Sequence, residues 1–221
     1  MPERLSAALA RLARAATLPN ALHALLSVTA LSLAFRCFDG TLFGWHPFSM
    51  SVGYIFFMAE GLLSAWALRP TVSDERVRGI EAHALMQLRG TLFIAIGAGA
   101  IIYNKHRHGK PHFRTLHGRL GLLALILSAA APLLGAVSFR KLGLIQRFPE
   151  EWHYTIKKAH RALGVVTWAL ALVTIEVALP HPAVYKPLAT PLWQLSAGAA
   201  GALMALLLYG RQRRGDLLKG T

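Results

Sequence analysis

The chain has 221 residues, of which 54% are hydrophobic and 15% are charged. Nearly all of it falls into long apolar stretches, which excludes a separate soluble domain and leaves room for one membrane bundle. The formal net charge of +14 suits either a nucleic-acid partner or the loop charges of a membrane protein, so the placement of the cations must decide.

Six apolar segments follow one another along the chain. They cover approximately residues 18–35, 42–68, 82–103, 116–137, 160–179 and 188–209. Each is close to the roughly 20 residues that a helix needs to cross the hydrocarbon core. The breaks between them are short and carry Pro and Gly beside charges, which is typical of turns. We therefore predict an all-α integral membrane protein, with residues 1–221 forming a single domain of six transmembrane helices.

The cations indicate the orientation of this bundle. If the N-terminus is cytoplasmic, the loop cations on the outer side are Arg36, Lys105, Arg107, Lys110, Arg114 and Lys186. The cytoplasmic loops and termini then carry the larger share, as the positive-inside rule requires, and both termini are predicted to be cytoplasmic. The same rule accounts for the basic excess, so we expect membrane lipid and no nucleic acid as partner. The Ala-, Leu- and Arg-rich composition favours a bacterial inner membrane.

Four histidines carry the strongest functional signal. His46, His83, His117 and His160 each stand near the start of one of four consecutive apolar segments. Because successive membrane helices run in opposite directions, His46 and His117 should lie near the outer face, and His83 and His160 near the inner face. Histidine in hydrocarbon is costly unless its ring nitrogens are bonded, so such residues are functional candidates. The sequence predicts two facing pairs.

A pair of neutral imidazoles between facing helices can supply both axial ligands of a haem iron. Zinc prefers four ligands close together, which two separated pairs do not offer. Cys37 is the only cysteine, so the chain lacks a CxxCH attachment site. We therefore predict two non-covalently bound b haems, one for each pair. Ligation by histidine on both sides leaves no open iron position, so no catalytic residue beyond the haem ligands is expected.

Glycines follow each histidine on the same helix face. Gly53 and Gly90 stand seven residues after His46 and His83, and Gly121 and Gly164 stand four residues after His117 and His160. Residues at these spacings lie on the same helix face as the histidine, so the glycines predict room for a flat porphyrin. Close packing of helices is the competing interpretation.

Polar residues near the histidines are candidates for holding the haem propionates. The cofactor-binding set predicted beside the four ligands is Gln87, Arg89, Arg119 and Arg161. Snorkelling of long cations to the headgroups is the alternative. For Arg89, which stands deeper in its segment, we expect a buried partner.

Two groups of basic residues are substrate candidates. The outer group is Lys105, His106, His108, Lys110, His112 and Arg114, and the cytoplasmic group is Arg76, Arg78, Lys157 and Lys158. Both suit anionic redox partners. Contact with anionic lipid is the alternative for the outer group, and topology alone is the alternative for the cytoplasmic one.

Four local motifs together resemble the eukaryotic-type cytochrome b561 family, and in particular its cytochrome b561 domain-containing branch. They are LFGWHP at 42–47, His83 followed by Gln87, GKPHFRTLHG at 109–118 and KAHRALG at 158–164, and the resemblance covers about residues 42–179. It implies a six-helix reductase whose four inner helices hold two b haems, with His46 paired with His117 and His83 with His160. It also implies electron transfer from cytoplasmic ascorbate to monodehydroascorbate or a ferric chelate outside.

One stretch departs from the family pattern. Residues 71–75 (TVSDE) follow the second segment where members best known for ascorbate use carry a basic, tyrosine-containing stretch. The donor therefore stays open between ascorbate and similar small molecules. Two other functions also remain: a cytochrome b subunit between quinone and a docked redox partner, and a haem-free metal or proton transporter. A homodimer is left open as well.

Overall fold

The computed structural model describes residues 17–67 and 73–217 as a six-helix bundle. The helices are α1 (Leu18–Cys37), α2 (Leu42–Ala67), α3 (Ser73–Arg107), α4 (Leu116–Ser138), α5 (Glu150–Ala178) and α6 (Ala189–Leu217). All six include a stretch long and apolar enough to cross a membrane, and no strand occurs within these two ranges. The predicted all-α membrane bundle is confirmed. Arg69, the cations of residues 1–16, Lys219 and the first part of the 71–75 stretch lie outside the described residues.

Two helices begin earlier than their apolar segments. Helix α3 starts at Ser73 and α5 at Glu150, whereas hydropathy placed these starts at 82 and 160. Each added stretch begins with acidic residues, which stabilise the positive end of the helix dipole. Hydropathy detects the part of a helix that crosses hydrocarbon and misses polar turns beyond it. His83 and His160 consequently lie well inside their helices.

Helix α2 begins with a side-chain cap and changes its winding inside the membrane. The Thr41 hydroxyl accepts a hydrogen bond from the Gly44 amide at 3.0 Å. Hydrogen bonds donated by Thr41 to the Asp39 carboxylate hold the pKa of Asp39 below its usual value. After Pro47 the helix continues as a π-helix over Ser51–Met58. The wider winding interrupts the regular α pattern in the part of α2 nearest the centre of the bundle.

The π-helical segment is hydrogen-bonded to three neighbouring helices. The Tyr54 hydroxyl shares a bond of 3.0 Å with the hydroxyl of Ser128 on α4, and Trp168 Nε1 on α5 donates to the Tyr54 carbonyl oxygen at 3.1 Å. From α3, Gln87 Nε2 donates to the Met58 carbonyl oxygen at 3.2 Å. Polar contacts of this kind fix how helices associate where water is absent. Helices α2 to α5 thus form the centre around the histidines.

Gly53 and Gly90 allow α2 and α3 to cross closely. A Cβ at Gly53 would lie 2.8 Å from Cγ1 of Ile94 and 3.1 Å from the Gly90 carbonyl oxygen. A Cβ at Gly90 would in turn lie 3.2 Å from the Gly53 carbonyl oxygen. The prediction that these two glycines leave room for a porphyrin is therefore wrong, because the backbone of the other helix fills that space.

Helices α1 and α6 flank the central four. Trp193 Nε1 on α6 donates to the Ser32 hydroxyl on α1 at 3.0 Å. His23 on α1 bonds the Glu60 carboxylate on α2 at 2.6 Å, and the Glu60 side chain is 14% exposed. The pair ties α1 to the central helices and gives a membrane acid a partner.

Candidate functional site: two histidine pairs

The four inner helices bring the histidines together in two pairs. The ring centroids of His46 on α2 and His117 on α4 are 6.0 Å apart, and the ring planes are 77° apart. The ring centroids of His83 on α3 and His160 on α5 are 6.3 Å apart, with an angle of 80° between the planes. The two pairs therefore have nearly the same geometry on different helices.

This spacing fits two axial ligands of one iron. A metal–imidazole bond is about 2.0 Å long and the ring centroid lies about 1.1 Å beyond the bonded nitrogen, so two opposed ligands should have centroids about 6.2 Å apart. Both observed separations lie within a few tenths of an ångström of that value. The residues present thus fit a bis-histidine haem at each level.

Backbone carbonyl groups orient three of the four rings. Nδ1 of His46 bonds the Gly97 carbonyl oxygen at 3.0 Å, and Nδ1 of His83 bonds the Gly61 carbonyl oxygen at 2.7 Å. Nδ1 of His117 bonds the Thr174 carbonyl oxygen at 3.0 Å. A carbonyl can only accept, so each Nδ1 carries the proton and the Nε2 lone pair is left for a metal. His160 Nδ1 is buried without a hydrogen-bond partner among the described residues.

The orienting carbonyls form a reciprocal pattern. In the α2–α3 hairpin, the histidine of each helix bonds a carbonyl of the other, and Thr174 of α5 plays the same part for His117 of α4. His83 and Gly97 are fourteen positions apart, as are His160 and Thr174. That interval corresponds to about 21 Å along an α-helix. Each of these two helices therefore carries a ligand at one level and an orienting carbonyl at the other.

A cavity of about 480 Å³ adjoins the outer pair. Its walls are mostly apolar and include Met50, Tyr54, Leu125 and both histidines. Gly121 also lines it, and a Cβ there would meet nothing closer than Thr174 Cγ2 at 3.7 Å. The volume lies in the range of pockets that enclose a cofactor-sized ligand. The open space predicted at Gly121 is present, and at Gly164 the nearest atom to an added Cβ is 3.8 Å away.

The mouth of this cavity carries part of the predicted outer substrate group. Lys105 and His112 line it, whereas His106, His108, Lys110 and Arg114 are exposed residues outside the lining. His181, from the loop between α5 and α6, also lines the cavity and was missed by the sequence analysis. Its Pro-His-Pro setting marks a fixed turn and was the available signal. Phe113 lines the mouth too and has a φ of 54°, an unusual value for an aromatic residue.

A glycine contacts the inner pair directly. A Cβ at Gly135 on α4 would lie 2.9 Å from Cε1 of His160 and 3.5 Å from each ring nitrogen. Only a residue without a side chain lets α4 approach the imidazole this closely. Gly135 was not among the glycines singled out from the sequence.

Three arginines surround Lys157 electrostatically at the inner end of the bundle. Lys157 is within electrostatic range of Arg76, Arg140 and Arg161. None of these four side chains is in a salt bridge with a described residue. Arg78 and Lys158, predicted for the same group, are exposed residues and are not among the charges that act on Lys157. Arg140 comes from a short 3₁₀ turn after α4, and no sequence motif marked it.

The remaining predicted cofactor contacts differ in their placement. Gln87 bonds the Met58 carbonyl and packs against Gly61, so the contacts it makes are between helices. Arg119 and Arg161 are exposed. Arg89 is exposed as well, and the buried partner expected for it is not found among the described residues. Long cations on exposed helix faces are placed to reach the headgroups.

The pairs also argue against a multi-ligand metal site. In residues 17–67 and 73–217 no group of three or more His, Cys, Asp or Glu side chains is placed to hold a metal ion. Tetrahedral sites require four ligands, whereas axial ligation of a haem requires two. Paired and oriented histidines inside a membrane bundle define the chain as a membrane cytochrome of the b type.

Comparison with known proteins identifies the family. Residues 45–186 match the family described as eukaryotic cytochrome b561, and this chain belongs to it. Membership implies haem b. The chain is 35% identical over 134 residues to transmembrane reductase CYB561D2 of Bos taurus, a match that covers 59% of this chain and 57% of the relative. It is 32% identical over 139 residues to the Homo sapiens protein of that name, covering 61% and 60%.

A plant relative bears a more specific name. The chain is 29% identical over 133 residues to transmembrane ascorbate ferrireductase 2 of Arabidopsis thaliana, covering 60% of this chain and 54% of the relative. The chain thus matches less than two thirds of the length of these relatives. All three come from eukaryotes, so they give no support to the bacterial inner membrane that composition favoured.

Proposed function

We propose that this chain is a dihaem transmembrane oxidoreductase, built as one membrane domain, that passes electrons from a cytoplasmic donor to an acceptor on the other face. The observation that carries the proposal is the presence of two histidine pairs, 6.0 and 6.3 Å between ring centroids, at opposite levels of the bundle. When bound, haem b supplies a one-electron iron couple at each level. The relatives named as transmembrane reductases support an oxidoreductase.

The protein's own part is positioning. The carbonyls of Gly97, Gly61 and Thr174 hold the rings so that each Nε2 points away from its hydrogen bond. Two histidines at each level would hold a haem iron from both sides and would leave no iron position open to oxygen. The mostly apolar walls of the outer cavity would leave little solvent to reorganise around a bound haem during electron transfer. Two levels about 21 Å apart divide the membrane crossing into shorter steps.

The inner cation cluster is the proposed donor site. Arg76, Arg140, Lys157 and Arg161 together present positive charge without an acidic partner in the described part. An anionic reductant such as ascorbate would pair with these groups through charge-assisted hydrogen bonds. The name of the Arabidopsis relative favours ascorbate over other anions. The positive-inside rule places this cluster in the cytoplasm, with both termini on the same side.

The mouth of the outer cavity is the proposed acceptor site. Lys105, His112 and His181 border the space next to His46 and His117. Lys105 lies close enough to His46 to interact with it electrostatically. A ferric carboxylate chelate or monodehydroascorbate is anionic and would be attracted to this mouth.

Haem content and reduction by ascorbate test the proposal. Purified protein should contain about two b haems per chain, counted by pyridine haemochrome, with a bis-histidine spectrum and reduction by ascorbate before dithionite is added. Two haems reduced by dithionite alone would refute ascorbate as donor. A preparation without haem would refute the cytochrome and favour the transporter.

Single substitutions test the pairing. His117→Ala should remove the outer haem and His160→Ala the inner one, because each removes an axial ligand. His108→Ala is the matched control, since His108 is an exposed residue in the turn directly after α3 and its Nδ1 donates to the Asn104 carbonyl oxygen at 2.7 Å. Retention of both haems with bis-histidine spectra in either ligand variant would contradict the pairing.

A further inference from the structure

Two hydrogen bonds join α2 and α3 in a reciprocal way, one at each histidine level. Nδ1 of His46 on α2 donates to the Gly97 carbonyl oxygen on α3, at 3.0 Å. Nδ1 of His83 on α3 donates to the Gly61 carbonyl oxygen on α2, at 2.7 Å. Each helix therefore has a segment enclosed between its own histidine and its own carbonyl. Because both bonds form between the same two antiparallel helices, the two enclosed segments must be equally long and must end facing each other.

The two enclosed segments contain different numbers of residues. Gly97 follows His83 by fourteen positions, whereas Gly61 follows His46 by fifteen. Fourteen α-helical residues rise about 21 Å and end about 40° short of four full turns. Fifteen would rise about 22.5 Å and end about 60° beyond four turns. A regular α-helix from His46 would therefore turn the Gly61 carbonyl about 100° away from the direction that the reciprocal bond requires.

The π-helical winding of α2 accounts for the additional residue. It covers Ser51–Met58, which lies entirely within the enclosed segment of α2, whereas α3 is α-helical throughout its own segment. A π-helical hydrogen bond connects residues i and i+5, so each turn holds about one residue more than an α-helical turn. The wider turns place fifteen residues over nearly the same length and rotation as fourteen α-helical ones. Both reciprocal bonds can then form together.

Helices α4 and α5 show the same interval without an additional residue. On α5, Thr174 follows His160 by fourteen positions, and its carbonyl oxygen accepts the hydrogen bond from His117. On α4, the position fourteen after His117 is Ala131, and Gly135, one turn later, closely approaches the His160 ring. Both helices are α-helical over these ranges. Among the four central helices, α2 alone departs from the interval of fourteen, and it alone contains π-helical winding.

We propose that Ser51–Met58 contains one inserted residue, absorbed by the π-helical winding, and that this segment is the positioning element that holds both histidine sites in register. The proposal rests on the proposed dihaem function, since it concerns how the ligand His46 and the carbonyl behind the ligand His83 are placed together. Pro47 is the competing cause of the changed winding, because proline lacks an amide hydrogen and this one precedes the segment by four residues. A proline changes hydrogen bonds and not the number of residues, so a change of number with Pro47 intact separates the two causes.

Deletion of one phenylalanine from the adjacent pair Phe56 and Phe57 tests the proposal. The same chain results whichever of the two is removed, and one phenylalanine remains to pack in the segment. The interval from His46 to Gly61 then becomes fourteen positions. The shortened α2 should wind as a regular α-helix, so this variant should keep both haems, the bis-histidine spectrum and both midpoint potentials.

Two further variants change the interval where no compensation is available. Deletion of Phe93 is the matched control, because it removes the same side chain from the α-helical segment of α3 that faces α2. It should turn the Gly97 carbonyl by about 100° relative to His83, and about one haem per chain should be lost. An alanine inserted directly after Phe57 should also cause loss of haem, because the π-helical winding already absorbs its one additional residue.

Haem count, spectrum, midpoint potentials and thermal midpoint are measured on the wild type and all three variants. Loss of haem from the Phe56 deletion variant, or its failure to fold, would overturn the proposal. Two haems with unchanged spectra in the Phe93 deletion or in the alanine insertion would overturn it as well. Fewer than two haems in the wild type would instead refute the dihaem function. The thermal midpoint of the apoprotein would then still test the register, because the Phe56 deletion should unfold at a higher temperature than the Phe93 deletion, and equal midpoints would contradict the proposal.

Discussion

Gly135→Ala should selectively disturb the inner histidine pair. The added Cβ would stand 2.9 Å from Cε1 of His160, whereas carbon atoms in contact prefer about 3.5–4.0 Å. Relief requires the imidazole or the α4 backbone to move by about 0.6–1 Å. Metal–ligand distances hold to within about 0.2 Å, so a shift of this size is several times the tolerance of an axial bond.

The expected result is a loss of about one haem per chain. The outer pair lies about 21 Å away along the bundle and should keep its haem. Pyridine-haemochrome counting gives the total, and a reductive titration should show the disappearance of one of two components. Alanine is the better helix former by about 1 kcal/mol, so unfolding of α4 is not the anticipated cause of the loss.

Gly99→Ala controls for the chemistry of the substitution. It makes the same replacement on an exposed membrane helix, at a position where a Cβ meets no atom within 4 Å. This variant should retain both haems. If Gly135→Ala also retained two haems with unchanged spectra and midpoint potentials, the close approach of α4 would not constrain the inner ligand.

Two further predictions concern the flanking helix and the donor site. His23→Ala should lower the thermal midpoint by several degrees with no loss of haem, because it leaves the Glu60 carboxyl, 14% exposed, without the partner 2.6 Å away; an unchanged midpoint would show that the pair contributes nothing to stability. Lys157→Gln should raise the KM for ascorbate severalfold and weaken its salt dependence, with kcat nearly unchanged, because it removes one charge of the inner cluster. Arg78→Gln, outside that cluster, should raise the KM less. An equal rise in both variants would show that the effect comes from net charge and not from a donor site at Lys157.

The spans and the histidine positions were predictable because each follows from a local property of the chain. Hydropathy over about 20 residues identifies a membrane helix whatever it packs against. Alternating helix direction then places His46 with His117 and His83 with His160 at opposite levels, and the structure brings the rings of each pair together. The helix starts were less accurate, since the polar turns of α3 and α5 carry no hydropathy signal.

Contacts between helices were not predictable from one sequence. Glycines placed on the face of a histidine led to close packing at Gly53 and Gly90 and to open space at Gly121, because a spacing gives the face of a helix and does not give its neighbour. Lys157 and Arg140 stand apart in the sequence and come within electrostatic range through the packing of α4 on α5. The carbonyls that orient the histidines carry no residue signature at all, since any residue supplies one.

The reciprocal carbonyls explain why the two histidine sites are coupled through the fold rather than independent. A displacement of α3 along its axis would shift His83 at the inner level and the Gly97 carbonyl that orients His46 at the outer level. Helix α5 acts in the same way, because it carries both His160 and the Thr174 carbonyl that orients His117. Both sites therefore require one register between neighbouring helices. The close crossing at Gly53 and Gly90 fixes that register for α2 and α3, near the middle of the interval between the two levels.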